Sequence, residues 1–373
     1  MPWADAVRIE DELGTDSLER LKLATALAEA VHLHHAGIDD SLLASPTVGD
    51  WTTAVARGLE RFSAELTFRT SGSTGQPKWC VHALADLEAE VAESAQLFAG
   101  ARRVIATVAA HHIYGFLFTV LLPARLGCTV VDVRAHAPAR LASLVESGDV
   151  IVGFPDFWRA FVRTVPRLTA GATGVTSTAP CPPDVALGVR AAGMARFIDV
   201  YGSSETAGIG WRDDPAAAYE LFSFWRRGAD QRDLVRCCAD GSERTFVAPD
   251  RLTWEGSRRV RPAGRAEGAV QVGGSNVFPE RVAGVLREHP GVAEAAVRLM
   301  RPDEGERLKA FVVPQSGHDP NALLAELWPY LDARLTPAER PKSIVFGPRL
   351  PQGALGKLAD WPIAAIDPAG GVP

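Results

Sequence analysis

Apolar positions recur in two rhythms along this chain. In the first sixty residues they follow helical spacing, with Leu18, Leu21, Leu23, Ala24, Leu27 and Val31 marking one stripe. Residues 1–60 are therefore expected to form a helical segment. From Ala64 onward, short apolar runs alternate with helical stretches. Ala64-Glu65-Leu66-Thr67-Phe68 reads as a strand, as do 104–108, 129–133, 150–152, 174–177 and 196–200, while 87–97 and 113–126 read as helices. That alternation predicts a layered α/β domain over 61–264, and ligands of such sheets gather at the carboxyl ends of strands. Beyond it, a helix through Arg287 and strands at 292–297 and 308–314 predict a small α+β domain over 265–373.

Composition removes several classes of function. The chain has 373 residues, a formal net charge of -6 and 47% hydrophobic residues, so it carries no basic field for nucleic acid. No apolar run is long enough to span a membrane, and no signal peptide opens the chain. Cys80, Cys128, Cys181, Cys237 and Cys238 are odd in number and lack metal-ligand spacing, which points to a reduced, cytoplasmic protein.

The chemistry concentrates in two stretches. Thr70-Ser71-Gly72-Ser73-Thr74-Gly75-Gln76-Pro77-Lys78 follows a strand. Its glycines let successive backbone N–H groups converge on one anion, its hydroxyls add donors, and Lys78 adds a positive charge. This is a polyphosphate cradle without the Gly-Lys-Ser/Thr order of a P-loop. The second stretch is Asp199-Val200-Tyr201-Gly202-Ser203-Ser204-Glu205-Thr206, where a strand ends and leaves a hydroxyl and a carboxylate exposed. Glu205 offers a hard oxygen ligand for magnesium carried by phosphates, Ser204 a donor for a phosphate oxygen, and Tyr201 a ring for stacking. The plainer alternative is a capped helix start with Glu205 at a favourable dipole position.

The order S-G-S-T-G-x-P-K resembles the phosphate loop of the adenylate-forming superfamily, which includes acyl-CoA synthetases, aryl-acid ligases and peptide-synthetase adenylation domains. The second stretch is similar to that superfamily's Y-G-x-T-E, with Ser204 in place of Thr. The resemblance covers Ala64 to the C-terminus. It implies a truncated large adenylation domain of layered sheets and helices, plus a small mobile α+β lid. It implies ATP and Mg2+, with polyphosphate held by Thr70, Ser71, Gly72, Ser73, Thr74, Gly75 and Lys78. Thr178 and Ala179 would lie against the adenine, with Tyr201, Gly202, Ser203 and Ser204 completing the nucleotide site. Asp250 and Arg265, 15 residues apart, match the ribose-binding pair. Lys357, on the final Gly-rich motif, His112 of H-x-x-G, and Glu205 would be catalytic, Glu205 also being the metal ligand. His112, Tyr114, Phe154 and Gly202 would line a flat acid pocket, and Glu267 would be the hinge.

Departures from the family are visible. The large first subdomain of full-length relatives is missing, Ala248-Pro249 precede Asp250, and Glu267 replaces Asp. Gln271 and Asn276 replace two basic residues, which weakens binding of the nucleotide part of free CoA. Near the start, Leu13-Gly14-Thr15-Asp16-Ser17-Leu18 resembles the phosphopantetheine attachment motif of acyl carrier proteins, with Ser17 as the attachment residue; alternatively Asp16 or Ser17 caps a helix. The expected function is ATP-dependent activation of a carboxylic acid, an aryl acid such as a hydroxybenzoate of aryl-polyene pigment pathways, and its transfer to the phosphopantetheine thiol of an acyl carrier protein. The alternatives are a ligase using free CoA and, in another class, a non-catalytic nucleotide-binding regulator.

Overall fold

The computed structural model describes residues 4–70, 78–165, 167–168, 171–265, 268–273, 275–351 and 358–363. The described residues fall into two compact units, one up to Ala263 and the other from Gly264 onward.

The first unit opens with four helices, α1 (Ser17–Ala30), α2 (Leu33–Ala36), α3 (Ser41–Ala44) and α4 (Val48–Arg61). Two reciprocal capping boxes start the long ones. Asp16 accepts from Glu19 N while Glu19 reaches back to Asp16 N, and Thr47 pairs with Asp50 in the same way. Trp51 donates its indole N–H to the carbonyls of Leu42 and Ser45 and thereby pins α3 onto α4. The leucine stripe expected for α1 is corrected here. Leu18, Leu21 and Leu23 are 43–56% exposed, and Ala24 is the buried residue of the helix. The packed face is centred on Ala24, Leu27, Ala28 and Val31, which meet Leu33, Leu42 and Trp51.

The chain then forms a hairpin, β1 (Glu65–Thr70) and β2 (Lys78–Ala83), in which Thr70 lies opposite Lys78. The ends of the intervening glycine-rich stretch are therefore side by side. After α5 (Leu84–Leu97) come β3 (Arg103–Ala106), α6 (Ile113–Phe116), a π-helical turn (Leu117–Leu121), α7 (Leu122–Leu126) and β4 (Thr129–Asp132). These are followed by α8 (Leu141–Leu144), β5 (Asp149–Gly153), α9 (Pro155–Thr164), β6 (Thr173–Thr176), α10 (Pro183–Ala191) and β7 (Arg196–Ser203). The single helix expected over 113–126 is thus interrupted by one wide turn.

The rest of the unit is antiparallel in character and was not foreseen strand by strand. It consists of β8 (Ala207–Arg212), β9 (Tyr219–Leu221), β10 (Trp225–Arg227), β11 (Asp233–Cys237), β12 (Glu243–Val247), β13 (Asp250–Glu255) and β14 (Arg259–Arg265). One nine-stranded sheet runs β13-β14-β9-β8-β7-β6-β5-β3-β4, and β10-β11-β12 form a separate sheet. From β4 to β7 the neighbours are parallel, and β7–β8, β8–β9 and β9–β14 are antiparallel.

Both faces of the parallel half are covered. Val104, Val150, Val152, Ile198 and Val200 face one core with α5, α6 and α7, through Leu87, Val91, Tyr114, Leu117 and Leu122. Ile105, Ile151 and Phe197 face the other, with Phe157, Trp158 and Phe161 of α9 and Val185 and Val189 of α10. Burial on both sides is why these strands read as continuous apolar runs.

The second unit holds a short hairpin, β15 (Val270–Val272) with β16 (Ser275–Val277), then α11 (Pro279–Arg287), β17 (Val292–Leu299), β18 (Leu308–Pro314), α12 (Pro320–Asp332) and β19 (Ser343–Phe346). β18 pairs antiparallel with β17 and parallel with β19. Its core joins Val282 and Leu286 of α11, Leu323 and Leu327 of α12, and the inner sides of the strands. Lys309 is fully buried, its ammonium 2.7 Å from Glu304, 2.9 Å from Asp360 and 2.6 Å from the Trp361 carbonyl. No described helix is long and apolar enough to cross a membrane.

Candidate active site

The parallel strands deliver their carboxyl ends to one edge, and the chemistry-bearing residues follow them. His112 comes after β3, Phe154 after β5, Thr178 and Ala179 after β6, and Tyr201–Glu205 close β7. Two contacts draw distant segments to the end of β7. Lys78 Nζ lies 2.9 Å from Glu205 Oε1, and His82 Nε2 donates to the carbonyl of Ser204 at 2.7 Å. Both Lys78 and His82 belong to β2, so the hairpin that flanks the glycine-rich stretch is fastened to the Ser203–Thr206 turn. Burial, the largest influence, works to raise the Glu205 pKa. The hydrogen bonds it accepts and the Lys78 charge outweigh burial and hold it below the usual value, so the carboxylate is ionised.

The turn itself is tightly specified. Ser203 N donates to Thr206 Oγ1 at 3.2 Å and the two hydroxyls lie 3.0 Å apart. A Cβ on Gly202 would sit 2.2 Å from the Ala207 carbonyl oxygen, which excludes any other residue there. Ala207 has φ 59, a left-handed backbone held by this closure. Tyr201 is buried and donates its hydroxyl to Asp250 Oδ2 at 2.8 Å, which brings the start of β13 to the end of β7.

Thr178 is exposed and has φ 79. A β-branched residue in that region is strained, and such strain clusters at ligand clamps. It stands immediately after β6, the place that the family resemblance gives to the adenine. Ala179 beside it is half-buried. His112 precedes α6, and its ring lies 4.2 Å from that of His111. Its ring reaches solvent, yet partial burial first, and the charge of His111 second, push its pKa below the ordinary imidazole value. Phe154 lines a cavity of about 280 Å³ with Thr107, Val133, Arg134, His136, Pro138, Asp156 and Phe157, and His112, Tyr114 and Gly202, expected beside it in one acid pocket, do not line that cavity. Tyr114 is buried, and its hydroxyl donates to the carbonyls of Gly153 and Val175 at 2.9 and 3.1 Å; it ties the ends of β5 and β6 together. Ser17 is the exposed first residue of α1, next to the capping Asp16. Arg265 ends β14. Ser71, Gly72, Ser73, Thr74, Gly75, Glu267 and Lys357 lie outside the described residues.

Sequence reasoning passed over the support beneath the turn. Glu90 of α5 is fully buried, accepts from Gly208 N at 2.9 Å and faces Arg236 at 3.7 Å. Arg236 donates to the carbonyls of Thr206 and Asp86 at 3.2 and 2.7 Å, with its guanidinium over Phe224. Burial, against the pull of Arg236, pushes the Glu90 pKa up to about 7. The signal was present, because Glu90 recurs at helical spacing with Leu87, Val91 and Ser94, and α5 buries these together with Asp86.

Residues 64–222 match the family described as AMP-binding enzyme, and residues 281–357 the AMP-binding enzyme C-terminal domain. A 4-coumarate--CoA ligase from Halorhodospira halophila is 38% identical over 356 residues, spanning 95% of this chain and 90% of that protein. A protein of the same name from Rhodobacter capsulatus is 38% identical, spanning 95% and 92%. Among solved structures, o-succinylbenzoate CoA synthetase from Bacillus subtilis, as a double mutant, superposes with a TM-score of 0.64 at 19% identity, covering 86% of this chain and 72% of that one. An amide bond synthetase from Marinactinospora thermotolerans gives 0.63 at 19% identity, covering 88% and 81%. The chain belongs to the adenylate-forming superfamily of AMP-binding enzymes. It is an AMP-forming acid–thiol ligase.

Proposed function

We propose that this enzyme activates an aryl acid of the 4-coumarate kind with ATP and passes the acyl group to the thiol of free CoA. The observation that carries the reading is the 38% identity to two 4-coumarate--CoA ligases over nearly the whole of both partners. These relatives favour CoA over the carrier protein that Gln271, Asn276 and the Ser17 motif suggested. Two residue changes weigh less than likeness along the full chain.

In the first half-reaction a carboxylate oxygen of the acid attacks the α-phosphorus, the bond to the bridging oxygen breaks, and pyrophosphate leaves with the electron pair. In the second, the thiolate sulfur attacks the acyl carbon and AMP leaves with the anhydride oxygen. The protein's part is positioning and charge stabilisation. Lys78 holds polyphosphate at the mouth of the glycine-rich stretch. Asp250, oriented by the Tyr201 hydroxyl, accepts hydrogen bonds from the ribose. Thr178 and Ala179 lie against the adenine, and Ser204 donates to the α-phosphate. His112, neutral at physiological pH because burial and His111 lower its pKa, offers a hydrogen bond to the acid. The ionised, partly exposed Glu205 suits Mg2+, a hard cation that neutralises polyphosphate charge when bound. The final glycine-rich motif assigns Lys357 the task of stabilising charge on the acid and the α-phosphate. The five cysteines are all unpaired, in keeping with a reducing cytoplasm.

Pyrophosphate exchange into ATP, run across a panel of acids, tests this reading. Exchange that depends on 4-coumarate or a close aryl acid is expected; exchange only with aliphatic acids would overturn the aryl assignment.

A further inference from the structure

A second cluster of chemistry-bearing side chains lies away from the strand ends, at the corner between α1 and α2. His32, His34 and His35 each present a ring nitrogen within 4.8 Å of the other two. In an unbroken helix, residues two apart do not face each other. Here His32 has φ 54, in the left-handed region, and this turn gathers its ring with both later histidines. Ring centroids are 5.6 Å apart for His32 and His34, 5.8 Å for His32 and His35, and 4.2 Å for His34 and His35.

The cluster is also braced from outside. His32 Nε2 lies 3.0 Å from Thr67 Oγ1 of β1, and Phe62 packs against His32 and His35 at 5.7 and 4.6 Å. A metal-bound imidazole characteristically commits its other ring nitrogen to an oxygen partner, which fixes tautomer and orientation. Thr67 supplies that partner and leaves Nδ1 of His32 for a ligand bond.

We propose that His32, His34 and His35 form a site for a divalent transition metal of the zinc class, with three imidazole ligands and water in the fourth position. Zn–N bonds of about 2.0–2.1 Å at tetrahedral angles place ligand nitrogens roughly 3.4 Å apart. The ring nitrogens lie within 4.8 Å of one another and His34 and His35 are exposed, so a bound metal would draw the rings closer by side-chain rotation. Through Thr67, the metal would tie the α1–α2 corner to β1, the strand that leads into the glycine-rich stretch.

The test uses tag-free, full-length protein stripped with a chelator. Zn2+ is titrated by calorimetry and Co2+ by visible absorption. One equivalent is expected to bind with micromolar or tighter affinity, Co2+ to give an intense tetrahedral band, and Zn2+ to raise the Tm. A His34→Gln, His35→Gln double variant, altered only at exposed positions, should lose at least about tenfold in affinity while keeping the metal-free Tm. Thr67→Val should lose about tenfold, since outer partners of metal-bound histidines are worth roughly 10–100-fold. Absence of stoichiometric binding, or binding unchanged in the double variant, would overturn the proposal.

Discussion

Lys78 and Glu205 meet at 2.9 Å although 127 residues separate them, and the pair joins the first residue of β2 to the turn after β7. Both side chains keep contact with solvent. Exposed pairs of this kind contribute about 0–1 kcal/mol to stability, so the pair is better understood through what it presents to a ligand. Glu205→Gln should therefore change stability by less than about 1 kcal/mol. Turnover should fall at least about tenfold, equivalent to roughly 1.4 kcal/mol, with the steepest loss at low Mg2+. Thermal denaturation beside a Mg2+ titration of activity checks both parts. Normal turnover at low Mg2+ would make Glu205 structural only.

Tyr201 and Asp250 form the second long-range tie. Tyr201→Phe removes the donor to a buried carboxylate oxygen, which should destabilise the protein by about 1–3 kcal/mol. If Asp250 grips the ribose from that position, the same variant raises the KM for ATP several-fold and leaves the KM for the acid unchanged. Equal effects on both substrates would show a general loosening of the sheet edge.

Glu90 makes stability depend on pH with a definite sign. Its folded pKa is pushed up to about 7, above the ordinary carboxyl value, so the folded state holds the proton over a range where the unfolded state has released it. Stability from this group is present below the ordinary carboxyl pKa and is lost as pH rises through about 7. Urea denaturation of the wild type and Glu90→Gln from pH 5 to 8 should show the wild type losing ground to the variant as pH rises. A gap independent of pH would contradict the assignment.

Lys357 is assigned from its motif. Lys357→Ala should abolish adenylate formation, leave ATP affinity within a few-fold, and spare thioester formation from a preformed adenylate. Loss of both half-reactions to the same extent would remove its special role.

Much of the first unit was legible because its parallel strands are buried on both faces. Runs such as Val150–Val152 carry no competing polar signal. The antiparallel half was hidden, since exposed Glu243 and Arg244 on β12 and exposed Arg259 on β14 break the apolar pattern of a strand. In α1, helical spacing was correct but the face was not. Leu18, Leu21 and Leu23 point to solvent, and the small Ala24 marks the contact. The residues that gather at the end of β7 were readable from motif chemistry. Their braces, His82, Glu90 and Arg236, come from segments whose spacing says nothing of the turn they support.

The account turns on the acceptor thiol. The most direct measurement incubates the enzyme with ATP, Mg2+ and 4-coumarate, and compares free CoA with a holo-acyl carrier protein at equal thiol concentration, quantifying AMP and thioester by mass. The account predicts one AMP per CoA thioester, with kcat/KM for CoA at least about tenfold above that for the carrier, a difference of roughly 1.4 kcal/mol. Thioester on the carrier with none on CoA would contradict it.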